Sequence, residues 1–276
     1  MPLQDEKGSR TTQSPVGLEL TGLLISIPKR GELHGDCEDA GHICEPAGRF
    51  ALSDGATESY MPRAWAEILS TFACQNGLPR ADEDLKDWLR VPQKQWWQRR
   101  LARLQDPAAP YWQQDADPKR LAAATLVALE VDTVLAGDTF SWRAFAIGDS
   151  CCFLLRAGAL IEKFPCQRRE DFGYRPACLF SGATTTTATV DQPVWIDGLG
   201  QLGDIFFLAT DALAEWIFCQ LEAEVAPWQR LLSIRDRAEL DEFAAEERAQ
   251  NRMRNDDVTL LVIRTTESRL IVDSRG

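Results

Sequence analysis

Apolar residues along the chain form short runs that are separated by polar turns, which is the pattern of strands in a layered domain. Alternating or continuous apolar runs predict strands, because a strand buries one face or both. The predicted strands cover 18–27, 48–54, 124–131, 141–150, 151–158, 159–164, 204–211, 256–265 and 268–274, and the last two are expected to form a terminal hairpin.

Helical spacing, with apolar residues three or four positions apart, occurs between these runs. It predicts helices over 61–77, 212–224 and 237–251. The spacing also continues over 81–105, where Pro92 is expected to divide the segment into two helices. Strands in runs and helices in pairs favour an α+β layered domain over a strictly alternating parallel fold.

The apolar pattern is absent from two regions of the chain, and these regions indicate how the chain is organised. Residues 1–16 are polar and are expected to form a flexible tail before a single domain over 17–276. Residues 165–204 are rich in Gly, Pro and Thr and have no sustained period. We expect a long surface loop or flap there, with little regular structure.

Charge and composition restrict the classes of partner. The formal net charge of −12 argues against nucleic acid and anionic membrane surfaces, which bind basic patches. No stretch has the apolar length of a membrane span or the pattern of a secretion signal, so a cytoplasmic location is expected. The 8 cysteines contain no C-x-x-C pair and there are only 2 histidines, so buried free thiols are favoured over a zinc site.

Aspartates stand at the ends of several apolar runs. Asp54, Asp149 and Asp211 follow such runs, Asp256 and Asp257 precede one, and Asp39 lies in "CEDAG". Each of them alone is typical of a turn or a helix cap. Carboxylates that converged at one edge would repel one another unless cations or protons neutralised them. With no histidine or thiolate pair available, oxygen ligands of this kind suit Mg²⁺ or Mn²⁺.

Five segments occur in an order that resembles a known family. "CEDAG", "SDGATES", "AFAIGDS", "FFLATDALAEW" and "MRNDDVTLL" look like the motifs of the metal-dependent protein phosphatases of the PPM type, type 2C, over nearly the whole chain. The wording "DGATES" and "TDALAEW" resembles a bacterial branch. The resemblance implies a four-layer α-β-β-α sandwich, in which two mainly antiparallel sheets are flanked by pairs of helices and a metal centre lies at one edge.

The resemblance also implies roles for individual residues. Asp54 would bridge two ions of Mn²⁺ or Mg²⁺, the carbonyl of Gly55 would bind one of them, and Asp211 and Asp256 would complete one ion's ligand shell. The family's acidic pair falls on Glu38 and Asp39. A weaker third ion, held in several members of the family, would lie at Asp149 and Glu215.

The implied reaction is hydrolysis of a phosphoserine or phosphothreonine ester. A water activated between two ions would attack phosphorus in line, without a covalent phosphoenzyme. The implied substrate is a phosphorylated protein, and a cognate serine/threonine kinase would be a partner.

Two departures from the family pattern bear on the active site. The family's phosphate-binding arginine corresponds to His34 here, and Lys29, Arg30 and Arg63 are alternatives for that contact. Ala56 and Thr57 follow the DG motif, where the eukaryotic enzymes have a histidine that acts as general acid. The first departure favours an alternative reading, a catalytically weak or inactive phosphoprotein-binding module with the same fold. A third reading is an unrelated α+β domain whose aspartates are turn residues and caps.

Overall fold

The computed structural model describes residues 17–108, 117, 119–173, 175–182 and 193–268. The tail predicted over residues 1–16 lies outside this range. The strands are β1 Gly17–Ile27, β2 Ala40–Cys44, β3 Arg49–Ser53, β4 Ala123–Ala124, β5 Leu126–Val131, β6 Thr139–Ile147, β7 Cys151–Arg156, β8 Ala159–Phe164, β9 Leu179–Phe180, β10 Val194–Gln201, β11 Ile205–Ala209 and β12 Val258–Ser268. The helices are α1 Pro62–Asn76, α2 Asp82–Leu104, α3 Asp211–Glu222, α4 Trp228–Ser233 and α5 Arg237–Ala249.

The long strands form two five-stranded sheets. One has the order β1-β12-β11-β7-β8 and the other has the order β10-β6-β5-β3-β2, while β4 and β9 form a separate short pair. Every pairing among these strands is antiparallel.

Three apolar clusters define the layers. The central cluster lies between the two sheets, where Phe50 and Leu129 of one sheet pack with Phe206 and Leu261 of the other. A second cluster joins the outer face of the first sheet to α3, α4 and α5. A third joins the second sheet to α1 and α2. The molecule is therefore the four-layer α-β-β-α sandwich, which confirms the fold class predicted from the sequence.

Local sequence explains where several elements begin and end. Pro62 opens α1, where its missing N–H costs no hydrogen bond, and Gly77 ends the helix with a φ of +83°. Asp236 caps α5 by accepting a hydrogen bond from the Glu239 N–H at 3.0 Å. Strands β7 and β8 are joined by Ala157 and Gly158, both at positive φ, as a two-residue hairpin turn requires.

Helix α2 differs from the prediction, because it continues through Pro92 as one element instead of breaking there. Leu85 on one side of the proline and Trp96 on the other are both buried in the same cluster against the second sheet. Anchorage of both halves to one surface offsets the hydrogen bond that the proline removes. Helix α4, which has six residues, was not predicted from the sequence.

The segment 165–204 is also more regular than predicted, since β10 is a strand of eight residues. Its glycines suggested a loop, but Gly198 lies opposite Trp142 and Gly200 opposite Phe140 on β6. An added Cβ would come within 2.4 Å of the Trp142 ring and 2.2 Å of the Phe140 ring. The glycines therefore make room for aromatic rings within a strand.

The terminal hairpin is the remaining difference. Strand β12 pairs with β1 along its whole length and with β11 over residues 260–264. Neither edge of β12 is free over 260–264, so the hairpin predicted from 256–265 and 268–274 cannot form there. Residues 269–276 lie outside the described range.

Candidate metal centre

The strand registers bring three of the predicted aspartates to one edge of the sandwich. In the first sheet Ala209 pairs with both Cys151 and Leu260, so the end of β11 lies beside the starts of β7 and β12. The segment that carries Asp149 links this sheet to β6 of the other sheet. In that sheet β3 ends next to the start of β5, and the backbone of Asp54 is hydrogen-bonded to Thr125 at 2.8 Å.

Among the described residues, one group of acidic side chains is close enough to hold a metal ion together. Oxygen atoms of Asp54, Asp149 and Asp211 all lie within 4.8 Å of one another. Asp149 is buried, and neither of its carboxylate oxygens has a hydrogen-bond partner in the described part of the chain. We call these three residues the acidic cluster.

The acidic cluster is electrostatically strained. Burial, together with the charges of Asp149 and Asp256, raises the pKa of Asp54 to about 7. Burial also raises the pKa of Asp149 to about 6. Because a buried carboxylate without a donor or a cation is unfavourable, this arrangement fits a bound cation better than a structural turn.

Gly55 fits a site at which the backbone approaches another group closely. A Cβ added there would lie 2.8 Å from the backbone carbon of Pro62 and 2.9 Å from the carbonyl oxygen of Glu38. Any side chain at this position would therefore push apart the start of α1 and the segment that carries Glu38.

The predicted acidic pair lies next to the cluster and has hydroxyl partners. Asp39 is buried, and its Oδ2 accepts hydrogen bonds from Thr210 and Thr259, each at 2.8 Å. Its second oxygen has no partner in the described chain, and burial with the nearby charge of Asp54 raises the pKa of Asp39. Glu38 accepts a hydrogen bond from the Thr57 hydroxyl, and burial raises the pKa of Glu38.

The two aspartates before β12 have different environments. Asp256 is not a member of the acidic cluster, and its side chain is 42% exposed. Asp257 accepts hydrogen bonds from the backbone N–H groups of Lys29, at 2.8 Å, and Glu38, at 2.6 Å. Asp257 thus fixes the segment before β2 against the start of β12.

Arg254 is the feature that the sequence did not reveal. Its Nη2 contacts Asp211 Oδ2, and its Nε lies 3.9 Å from Asp256 Oδ2. The positive charge of Arg254 opposes the rise in the pKa of Asp54 and of Asp149. Nothing in the "MRNDDVTLL" pattern indicated that this arginine reaches an aspartate 43 positions earlier in the chain.

The remaining predicted residues lie outside the acidic cluster. His34 is exposed, and its Nε2 is 3.0 Å from an Nη2 of Arg237. Arg63 donates to the carbonyl oxygens of His34 and Gly35, at 3.2 and 2.6 Å, so this guanidinium lies beside the position of the family's arginine. Glu215 forms an ion pair with Arg169 at 3.4 Å.

Solved structures share the architecture, although no protein-family model and no curated protein sequence matches the chain. The catalytic domain of the serine/threonine protein phosphatase PstP, in complex with two manganese ions, aligns with a TM-score of 0.55 and 17% identity, over 90% of this chain and 99% of that one. The Mycobacterium tuberculosis phosphatase PstP/Ppp gives 0.52 and 18%, over 89% and 98%. The PP2C phosphatase domain of Bacillus subtilis SpoIIE, with a fragment of its regulatory domain, gives 0.53 and 11%, over 93% and 66%.

This chain has the PP2C phosphatase fold. The shared fold agrees with the order of motifs found in the sequence. At this level of identity the similarity establishes the architecture. No helix in the described part of the PP2C fold is long and apolar enough to cross a membrane.

Proposed function

We propose that this chain is a metal-dependent protein-serine/threonine phosphatase, which hydrolyses phosphoric monoesters. The observation that carries the proposal is the convergence of Asp54, Asp149 and Asp211 within 4.8 Å, with both oxygens of Asp149 unpartnered in the described chain. A set of oxygen ligands without histidine or thiolate is suited to Mg²⁺ or Mn²⁺.

Under this proposal two such ions would be held by Asp54, Asp211, Asp256 and the Gly55 carbonyl. Asp149 and Glu215 would hold a weaker third ion. Glu38 and Asp39 would lie next to the ions, directly or through water. Bound cations would supply positive charge for the phosphoryl group in the transition state and would make a water molecule more acidic.

The thiols of the chain support hydrolysis without a covalent intermediate. Burial, with the charges of Asp54 and Asp149, raises the pKa of Cys178 to about 12. Burial also raises the pKa of Cys37, next to the acidic pair. Both cysteines are therefore protonated thiols at neutral pH, which are poor nucleophiles for a phosphocysteine route.

A cavity of mixed charge, lined in part by Glu38, has arginines that suit a phosphorylated substrate. The cavity has a volume of about 550 Å³, and the hydroxyl side chains of Thr57 and Ser59 line it. Its lining includes four basic residues, Lys29, Arg63, Arg103 and Arg120, and three acidic ones, Glu32, Asp36 and Glu38. Lys29 pairs with Glu32 and Glu38, whereas the guanidinium groups offer paired N–H donors of the kind that bind a phosphate group. In this proposal Arg63, with His34 beside it, contacts the substrate phosphate.

Three further points belong to the proposal. The substrate is a protein phosphorylated on serine or threonine, and a cognate kinase would supply it. Residues 17–276 act as a single phosphatase-like domain. The location is cytoplasmic, which is supported by the 8 cysteines that are all free thiols.

The direct test is hydrolysis of a phosphothreonine peptide by the purified chain in Mn²⁺ and in EDTA. Activity should require the metal and should be lost in Asp54→Asn and Asp211→Asn. Asp197→Asn is the matched control, because Asp197 is 68% exposed and pairs with Arg143 on the far strands β10 and β6. Hydrolysis that persists in EDTA or in Asp54→Asn would contradict the proposal.

A regulatory module that binds phosphoproteins without hydrolysing them is the second candidate. The observation that favours it is the exposed His34, which lies against Arg237 instead of presenting an arginine to substrate. Binding of Mn²⁺ and phosphopeptide without hydrolysis would favour this candidate over the phosphatase.

A further inference from the structure

Arg254 places a permanent positive charge where the proposed cations would bind. The guanidinium contacts Asp211 of the acidic cluster and approaches Asp256, a proposed ligand outside that cluster. An arginine side chain does not lose its proton in a protein, so this charge is always present. One guanidinium thus faces several carboxylates that would otherwise repel one another.

The contact between Arg254 and Asp211 is an ion pair. Neither Nε nor Nη2 of Arg254 has a hydrogen-bond partner of good geometry in the described part of the chain. The attraction is therefore mainly a matter of charge, which a doubly charged ion can replace. Compare Glu247, which is also buried but accepts well-placed hydrogen bonds from Arg252, at 2.6 and 2.8 Å, and from Trp216, at 2.9 Å.

Arg254 also borders a cavity of about 490 Å³, whose lining includes Ala212 and Glu215 of α3. The lining contains four further arginines, Arg30, Arg169, Arg248 and Arg252, and Glu215 already pairs with Arg169. Arg254 thus belongs to a group of five arginines next to proposed metal ligands, and the positive charge of this group attracts the acidic cluster.

We infer that Arg254 is a tethered counter-ion of the acidic cluster, which compensates its charge when divalent cations are absent and which those cations displace. The inference rests on the proposed function, because it assumes that the cluster holds metal. Two consequences follow. Arg254 stabilises the metal-free chain, and it lowers the apparent metal affinity because each binding event must break its contact with Asp211.

The test compares Arg254→Gln with Arg254→Lys, which keeps the charge, and with Arg264→Gln. Arg264 is exposed on β12 far from the cluster, so its substitution removes the same charge and controls for the general field of the protein. Calorimetry of Mn²⁺ binding to the full chain, at about 0.15 M salt to screen distant charges, gives the affinity. Thermal unfolding in EDTA and in saturating Mn²⁺ gives the stability.

The inference predicts that Arg254→Gln binds Mn²⁺ about tenfold more tightly or better, since the competing charge is gone. Arg254→Lys and Arg264→Gln should stay near the original affinity. Arg254→Gln should also be less stable than the original chain in EDTA, and this loss should vanish in Mn²⁺. Unchanged or weaker binding in Arg254→Gln overturns the inference, as does an equal loss of stability in both conditions.

These results are separable from the fate of the proposed function. If the original chain hydrolyses the phosphopeptide with Mn²⁺ while Arg254→Gln binds the metal no more tightly, only the inference fails. If the chain binds Mn²⁺ with the predicted order of affinities but hydrolyses nothing, the phosphatase proposal fails and the counter-ion role stands.

Discussion

Replacing Asp149 with asparagine tests whether this residue belongs to a metal-binding site or to a structural turn. The substitution keeps the shape of the side chain and removes one charge from the acidic cluster. In the metal-free chain it should be stabilising, because Asp149 is buried and both of its oxygens lack hydrogen-bond partners in the described chain. In saturating Mn²⁺ it should be destabilising relative to the original chain, because a ligand has been lost.

The size of the effect follows from the separation of the carboxylates. The carboxylate oxygens of the acidic cluster lie at most 4.8 Å apart. Two unit charges at that distance repel by about 3 kcal/mol at an effective dielectric constant of about 20. Asparagine relieves the repulsion between positions 149 and 54, whereas the charge of Asp211 is already offset by Arg254. Solvent screening at the partly exposed Asp54 reduces the gain, so we expect about 1–3 kcal/mol. For a domain of this size that is a rise in Tm of roughly 2–10 °C.

The measurement is thermal unfolding at pH 8 in EDTA and in Mn²⁺, for the original chain, Asp149→Asn and the control Asp197→Asn. At that pH both carboxylates are ionised, because the pKa is about 7 for Asp54 and about 6 for Asp149. A ligand present at about 100 times its Kd stabilises by about 2.7 kcal/mol. The stability order of the original chain and Asp149→Asn should therefore reverse between the two buffers.

The pH dependence adds a second check. A carboxyl group whose pKa is raised by folding stabilises the protein at low pH, and this stability is lost as the pH rises through the folded pKa. The metal-free chain should lose stability between about pH 4 and pH 7 because of Asp54 and Asp149, and Asp149→Asn should lose less. A lower Tm for Asp149→Asn in EDTA, together with an undiminished gain from Mn²⁺, would refute the reasoning.

Three further substitutions test other parts of the structure. Gly55→Ala puts a Cβ 2.8 Å from the Pro62 backbone, so thermal unfolding should show a loss of stability of about 1–3 kcal/mol, and calorimetry should show weaker Mn²⁺ binding. Stability and binding equal to those of the original chain would show that the close approach is unimportant. Arg63→Gln should raise the KM for a phosphopeptide about tenfold with little change in kcat, and the opposite split would remove Arg63 from phosphate binding. Burial alone would raise the pKa of Glu247, but hydrogen bonds from Arg252 and Trp216 and the charge of Arg230 lower it from 4.5 to about 2. Urea unfolding should show that Glu247→Gln is about 3 kcal/mol less stable than the original chain at pH 7. The variant should also lack the loss of stability that the original chain undergoes as the pH falls from about 4.5 to 2. If both chains lose stability equally in acid, Glu247 is not the cause of the acid sensitivity.

Local pattern was sufficient to predict much of the fold. The apolar run before Asp54 predicted β3, and the helical spacing that ends at Gly77 predicted α1. In both cases the spacing of the apolar residues and the residue that ends the element indicate the same structure. Strand β10 was missed because its glycines serve Trp142 and Phe140 on another strand. A requirement set by a partner more than 50 positions away leaves no local signal.

The candidate site shows the same division. The order of the acidic motifs drew attention to Asp54, Asp149 and Asp211, and the structure brings these three carboxylates together. The motifs could not predict that Asp256 lies outside that group, or that Arg254 contacts Asp211. Both depend on side-chain directions at the end of a loop, which tertiary packing decides.

The hydrogen bonds of Asp257 have a consequence for the time at which the site is assembled. This residue holds the backbone of Lys29 and Glu38, which precede it in the chain by 228 and 219 residues. At a synthesis rate of about 5–20 residues per second, Asp257 is added to the chain roughly 10–45 s after Glu38. A nascent chain therefore emerges with its acidic residues unassembled, and these contacts can form only after Asp257 has been synthesised.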